Sequence, residues 1–126
     1  MLAGLLATAC ATTGAEPASL RGGDWRVTRI GGAAVLPDSR AVITFDADGR
    51  FRGNASCNSM FGTWRADRSA LSLSRVGLTR MLCQPAEMAQ EQALVGLLEQ
   101  VSAYRIEPPG TLVLTTPSGA RIHATR

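Results

Sequence analysis

From Asp24 onward the chain is written in short alternating runs separated by turn residues. Trp25, Val27 and Ile30 mark a first strand closed by Gly31-Gly32. In Ala41 to Phe45, Ile43 and Phe45 share one face and Val42 and Thr44 the other, the two-residue period of a half-buried strand. Asp46-Ala47-Asp48-Gly49 then predicts a hairpin turn, and Arg50-Phe51-Arg52 leaves it with Phe51 alone pointing inward. Further strands are predicted over 61–65, 70–76, 104–107, 111–116 and 120–125, with turns at 66–69, at Pro108-Pro109-Gly110 and at Pro117-Ser118-Gly119. Most of these runs are too short and too one-sided to be stable alone, so they require a closed sheet.

One segment has a different period. In PAEMAQEQALVGLLEQVSAY the apolar residues Met88, Leu94, Val95, Leu98 and Val101 recur at three- and four-residue steps, which predicts an amphipathic helix. Pro85 suits its first turn, and Glu87 and Glu91 fall toward its positive end. Gly96 is a mid-helix fault of about 1 kcal/mol unless something packs closely on it. The fold class expected is mainly β, of the α+β kind: a small antiparallel barrel-like meander with one helix packed against it or capping its end. Trp25, Phe45, Phe51, Phe61 and Trp64 are the bulky side chains expected to fill the interior and leave little cavity.

The N-terminus has no such pattern. MLAGLLATAC is a run of small and apolar residues ending at Cys10, too short to cross a bilayer but long enough for the apolar part of a signal peptide. Leu6-Ala7-Thr8-Ala9-Cys10 is similar to the lipobox of bacterial lipoproteins, in which cleavage precedes a lipid-modified cysteine. Residues 11–23 are small, polar and glycine-rich, as in a flexible tether. The organisation expected is a signal peptide over 1–9, a tether over 10–23 that joins the membrane through lipidated Cys10, and a folded domain over 24–126. Ala11 after the cysteine resembles the signal for outer-membrane sorting, with the domain facing the periplasm.

Length and composition narrow the function classes. A chain of 126 residues with 45% hydrophobic and 18% charged residues makes one globular domain. All 13 basic residues are arginine, scattered and interleaved with acids, whereas a nucleic-acid binder gathers its cations into a stripe; nucleic acid is not an expected partner. Two cysteines fall in the domain, Cys57 within GNASCNSMFG and Cys83 ahead of the helix. In an oxidising envelope compartment such a pair is expected to be bridged, which would staple the turn of Cys57 to the segment before the helix. The competing reading, a thiol nucleophile, needs His123, the single histidine, brought to Cys57 by the fold. The domain lacks the paired short spacings of a structural zinc site, a glycine-rich phosphate loop and the later glutamate of a calcium loop, so no metal or cofactor is expected. Gly53 and Gly62 are expected to serve tight turns and Asn58 to hydrogen-bond locally or take a left-handed conformation. Arg80 either pairs with an acid such as Glu91 or presents its guanidinium at the surface.

These residues carry a resemblance. Trp25, Ile43-Thr44-Phe45-Asp46 with Asp48-Gly49-Arg50, Gly53-Asn54-Ala55-Ser56-Cys57-Asn58 with Gly62-Thr63-Trp64, then Leu78-Thr79-Arg80-Met81-Leu82-Cys83 and Glu91 together resemble the META domain of the HslJ heat-shock protein family. The resemblance runs from about Asp24 to the end of the chain. It implies a small closed or nearly closed β-barrel with one helix, often carried on envelope lipoproteins associated with stress response, novobiocin resistance, secretion or motility. It implies neither an enzymatic activity nor a cofactor. The function expected is that of a monomeric, non-enzymatic module that binds or chaperones another envelope protein; the alternatives are a carrier of a small apolar ligand in the barrel and a thiol-dependent enzyme or redox sensor.

Overall fold

The computed structural model describes residues 20–126; the expected signal peptide over 1–9, Cys10 and the tether as far as residue 19 lie outside the described residues. The strands are β1 (Asp24–Ile30), β2 (Ala33–Ala34), β3 (Val42–Phe45), β4 (Arg50–Asn54), β5 (Ser59–Asp67), β6 (Ala70–Leu78), β7 (Ala103–Glu107), β8 (Thr111–Thr115) and β9 (Arg121–Thr125), with helix α1 (Pro85–Leu98) between β6 and β7. All strand pairings are antiparallel; β1 pairs with β3, and β3 to β9 pair in turn until β9 returns to β1 and closes the ring. The short β2 flanks β1, pairing only at Arg29↔Ala34 and Ile30↔Ala33. Closure removes most sheet edges and lets short strands share one interior.

That interior is filled by the alternating inward side chains. Trp25, Ile43, Phe45, Phe51, Met60, Leu71, Leu112, Leu114 and Ile122 are fully buried, and Trp64 meets Phe45 edge-on with ring centroids 5.4 Å apart. Phe61 does not join them. It stands on the outer side of β5, because Met60 and Trp64 take the inward positions and Phe61, three residues before Trp64, has the opposite parity. Gly62 takes the inward position between them, where an added Cβ would lie 2.5 Å from the Phe51 ring. Gly53, in β4, has the backbone of β3 against it, and an added Cβ would overlap the Val42 carbonyl. Neither glycine has a positive φ, so both provide space inside strands rather than the tight turns expected of them.

The packed region begins earlier than Asp24. Leu20 is fully buried and its carbonyl accepts the Trp25 indole N–H at 2.9 Å. Arg21 forms a parallel bridge with Phe45, and its carbonyl accepts from the Arg126 guanidinium at 3.0 Å. The last four residues assigned to the tether are therefore part of the fold. A single leucine in a polar run has no periodicity to announce it; the buried indole N–H supplies the reason for its place.

Helix α1 starts at Pro85, with the Gln84 N–H donating to Glu87 Oε1 at 3.2 Å, a capping arrangement. Leu94 and Leu98 enter the core and Val101 follows them just beyond the helix end. Gln90 ties the helix to the end of the ring: its Oε1 accepts the Leu36 N–H at 2.7 Å, and its Nε2 donates to Ser39 Oγ and Ser56 Oγ at 2.9 and 3.1 Å. A Cβ added at Gly96 would meet nothing within 4 Å. Gly96→Ala is thus expected to stabilise the chain by about 0.5 to 1 kcal/mol, through helix propensity alone, as read by urea unfolding.

Candidate functional site

The turn that joins β4 to β5, Ala55 to Asn58, is buried throughout. Its backbone is held by the Ala55 N–H on the Asn58 carbonyl and by the Ser56 N–H on Asn54 Oδ1, each at 2.8 Å. Ser56 has φ of 134°, so the strained residue of the turn is Ser56 and not Asn58. Cys57 is joined to Cys83 in a disulfide, with Cα atoms 6.0 Å apart, and this fixes the turn to the segment ahead of α1.

Glu91 completes the anchorage from the helix side. It is only 4% exposed, and its carboxylate accepts three hydrogen bonds from the turn. Oε1 receives the N–H groups of Cys57 and Asn58 at 3.1 and 2.7 Å, and Oε2 receives Asn58 Nδ2 at 2.8 Å. Asn58 passes the connection on, because its Oδ1 accepts the Met81 N–H at 2.6 Å and the Thr79 hydroxyl at 3.0 Å. Thr79 Oγ1 in turn accepts the Ser59 N–H at 3.1 Å. Thus Glu91, Asn58, Thr79 and the disulfide lock three stretches together: the β4–β5 turn, the β6–α1 connection and the helix.

Arg80 takes no part in that lock. Glu91 is occupied by the turn, while Arg80 is exposed and forms no ion pair among the described residues, so of its two expected placements it takes the surface one. His123 lies on the outer side of β9, in register with Val113 and Arg29. Cys57, the other half of the imagined thiol pair, has its sulfur bonded to Cys83.

The locked connection presents side chains outward. Phe61, Met81 and Leu82 are 51%, 57% and 92% exposed, and they are the large hydrophobic residues left exposed among the described residues. Phe61, Met81 and Leu82 line one open groove of about 610 Å³, together with Val76, Leu78, Arg80 and Met88. Gly77 forms part of its floor, where an added Cβ would lie 2.5 Å from the Phe61 ring. Scattered exposed hydrophobics are ordinary; three converging on a single groove set this part of the surface apart. The backbone beneath is held by the disulfide and by the hydrogen bonds of Glu91 and Asn58.

The META domain model matches residues 18–126, nearly the whole chain. The chain belongs to the META domain family. META-domain membership agrees with a packed region that starts before Asp24, since the match includes Leu20. Three solved structures share the fold. An NMR structure is 18% identical with a TM-score of 0.71, over 88% of this chain and 94% of that one. A second NMR structure, of a protein from Burkholderia xenovorans, is 22% identical with a TM-score of 0.69, over 95% and 94%. A crystal structure of a DUF4847 family protein from Bacteroides vulgatus is 19% identical with a TM-score of 0.64, over 84% and 93%. No curated protein matches the chain.

Part of this site is not written in the sequence. Glu91, Asn58, Thr79 and the two cysteines stand out there by their motif, but the hub function of Glu91 does not, because the backbone donors it receives lie 33 and 34 positions away. Its position is a further signal: Glu91 precedes Leu94 and Leu98 by three and seven residues and so shares their buried stripe.

Proposed function

We propose that this META domain is a non-enzymatic binding module of the bacterial cell envelope, which engages apolar stretches of other envelope proteins during stress or secretion. The observation that carries the reading is the convergence of Phe61, Met81 and Leu82 on one groove, over a backbone locked by the disulfide and the Glu91–Asn58 network. The lipobox-like run ending at Cys10 supports a lipid anchor on the outer membrane, with the monomeric domain in the periplasm. A ligand carried inside the ring has less support, since Trp25, Phe45, Phe51 and their aliphatic neighbours occupy that space. A thiol mechanism would first require the Cys57–Cys83 bond to be broken.

The test is site-specific photo-crosslinking in the native envelope. A photoreactive residue in place of Leu82 is expected to form adducts with envelope polypeptides, and one in place of exposed Ala47, in the β3–β4 turn, is expected to form none. Equal adducts at both positions, or none at either, would contradict the reading. Because Leu82 is 92% exposed, Leu82→Ser should leave stability within about 0.5 kcal/mol of the parent. Adducts from a photoreactive residue at Phe61 should nevertheless fall sharply in that variant. Intact mass of the membrane-extracted protein tests the anchor, with acyl mass on a chain starting at Cys10 as the expected result.

A further inference from the structure

The ring has one weak seam. β6 pairs with β5 from Asp67↔Ala70 to Met60↔Leu78, but with β7 at Ala70↔Ala103 alone. The Leu71 N–H still reaches the Ser102 carbonyl at 3.1 Å; past that point, among the described residues, no backbone hydrogen bond leaves this side of β6. Successive residues of a strand turn their backbone groups to alternate sides, so Leu73, of the same parity as Leu71, has its N–H and C=O on the open side. Leu73 itself is 5% exposed, and above it β6 bulges at Arg75, where φ is 57° and the register with β5 shifts; half-buried Val76 to Leu78 carry the strand on to the groove. The groove lies at its upper end, between Val76 and Leu78 of β6 and Met88 of α1, and a second cleft of about 400 Å³ opens at its lower end beside Leu71 and Ser72. A backbone edge and an apolar groove thus run side by side.

We propose that an extended segment of a partner polypeptide adds to the free edge of β6 as a further strand, seating alternate apolar side chains in the groove and a carboxylate against Arg80. The proposal rests on the reading of the groove as the binding surface and adds the mode and the chemistry of the partner. Main-chain hydrogen bonds along a sheet edge supply affinity in this mode, and pockets for alternate side chains supply selectivity. Charge chooses the partner. Arg75 and Arg80 are both exposed and form no ion pair among the described residues, and the one acid at the groove, Glu91, is buried and occupied by the turn. An acidic strand complements that edge, whereas a second copy would bring Arg75 and Arg80 against their own counterparts, the usual way a natural edge resists self-pairing. Residues 1–19 of the chain itself, rich in alanine and glycine, are poor strand formers.

The experiment is selection of a displayed library of random short peptides on the full chain, followed by affinity measurement of the winners as synthetic peptides. The expected winners alternate apolar residues and carry an acid. N-methylation of their edge-facing amides should weaken binding by about tenfold or more, the loss of strand-type hydrogen bonds. Arg80→Glu should weaken it by about tenfold, and Leu82→Ser should weaken it as well. Winners that need Leu82 but tolerate N-methylation would overturn strand addition while leaving the groove as the binding surface. A selection with no winner sensitive to Leu82→Ser would overturn both readings. Displacement of the winners by a peptide copied from residues 1–19, or a concentration-dependent dimer in sedimentation, would give the edge to the chain itself and overturn the proposed partner.

Discussion

Glu91→Ala is expected to destabilise the chain by about 3 to 5 kcal/mol, among the largest effects of any single substitution outside the aromatic core. The carboxylate accepts from the N–H groups of Cys57 and Asn58 and from Asn58 Nδ2; all three donors are buried, and only Asn58 Nδ2 has a second acceptor, the Met81 carbonyl at 3.4 Å. Leaving one such donor unpaired costs about 1 to 3 kcal/mol. Glu91→Gln is the more informative variant. Its carbonyl can keep the two backbone donors, but its amide would then face Asn58 Nδ2, donor against donor. Asn58 cannot flip to relieve this, because its Oδ1 is already bound by Met81 N–H and Thr79 Oγ1. A loss of about 2 to 3 kcal/mol is therefore expected for glutamine as well, read from urea unfolding. Near-neutral behaviour of Glu91→Gln would mean that the network is looser than its distances indicate.

Removing the disulfide by Cys57→Ala with Cys83→Ala is expected to cost about 3 to 4 kcal/mol, the chain-entropy value for a cross-link that closes a loop of this size. The two cysteines are 26 positions apart in sequence, so the bond restricts a long stretch of the unfolded chain that includes β5 and β6. In a domain of about a hundred residues that corresponds to a fall of about 15 °C in melting temperature. Reduction of the parent protein should reproduce the shift without any substitution. The disulfide and Glu91 fix the same turn, so their effects should not add. Once the bond is gone, the turn can relax around a missing carboxylate, and the triple variant should lose less stability than the sum of the separate losses. An unchanged melting temperature on complete reduction would remove the staple from the account.

How far the sequence anticipates this structure depends on whether periodicity or pairing made each feature. The hairpin at Asp46 to Gly49, the meander and helix α1 are all visible in residue patterns, because burial of one face imposes a period of two or of three to four residues. Strand limits were less legible. The sequence expectation ends β5 at Arg65 and gives 66–69 to the turn, whereas β5 continues to Asp67 and the turn is a tight one in which Arg68 takes φ of 60°; no glycine announces it. For Phe61 aromatic size suggests burial, while strand parity beside Trp64 decides otherwise. At the site, the CN turn and the TRMxC segment were visible as a motif, but their joint purpose was not. That purpose depends on Glu91, from a third element, receiving donors 33 and 34 positions away, a contact that no local pattern encodes.

The proposed binding surface is tested most directly by where a peptide touches the molecule. The direct measurement is a nitrogen-15 NMR titration of the full chain with a selected peptide, following each backbone amide. The result expected is a contiguous set of shifted signals along Leu73 to Leu82, joined by Phe61 and Met88, with the barrel interior and the outer face of β7 to β9 unmoved. Shifts centred on β7 to β9, or on interior residues such as Trp25 and Phe51, would contradict it.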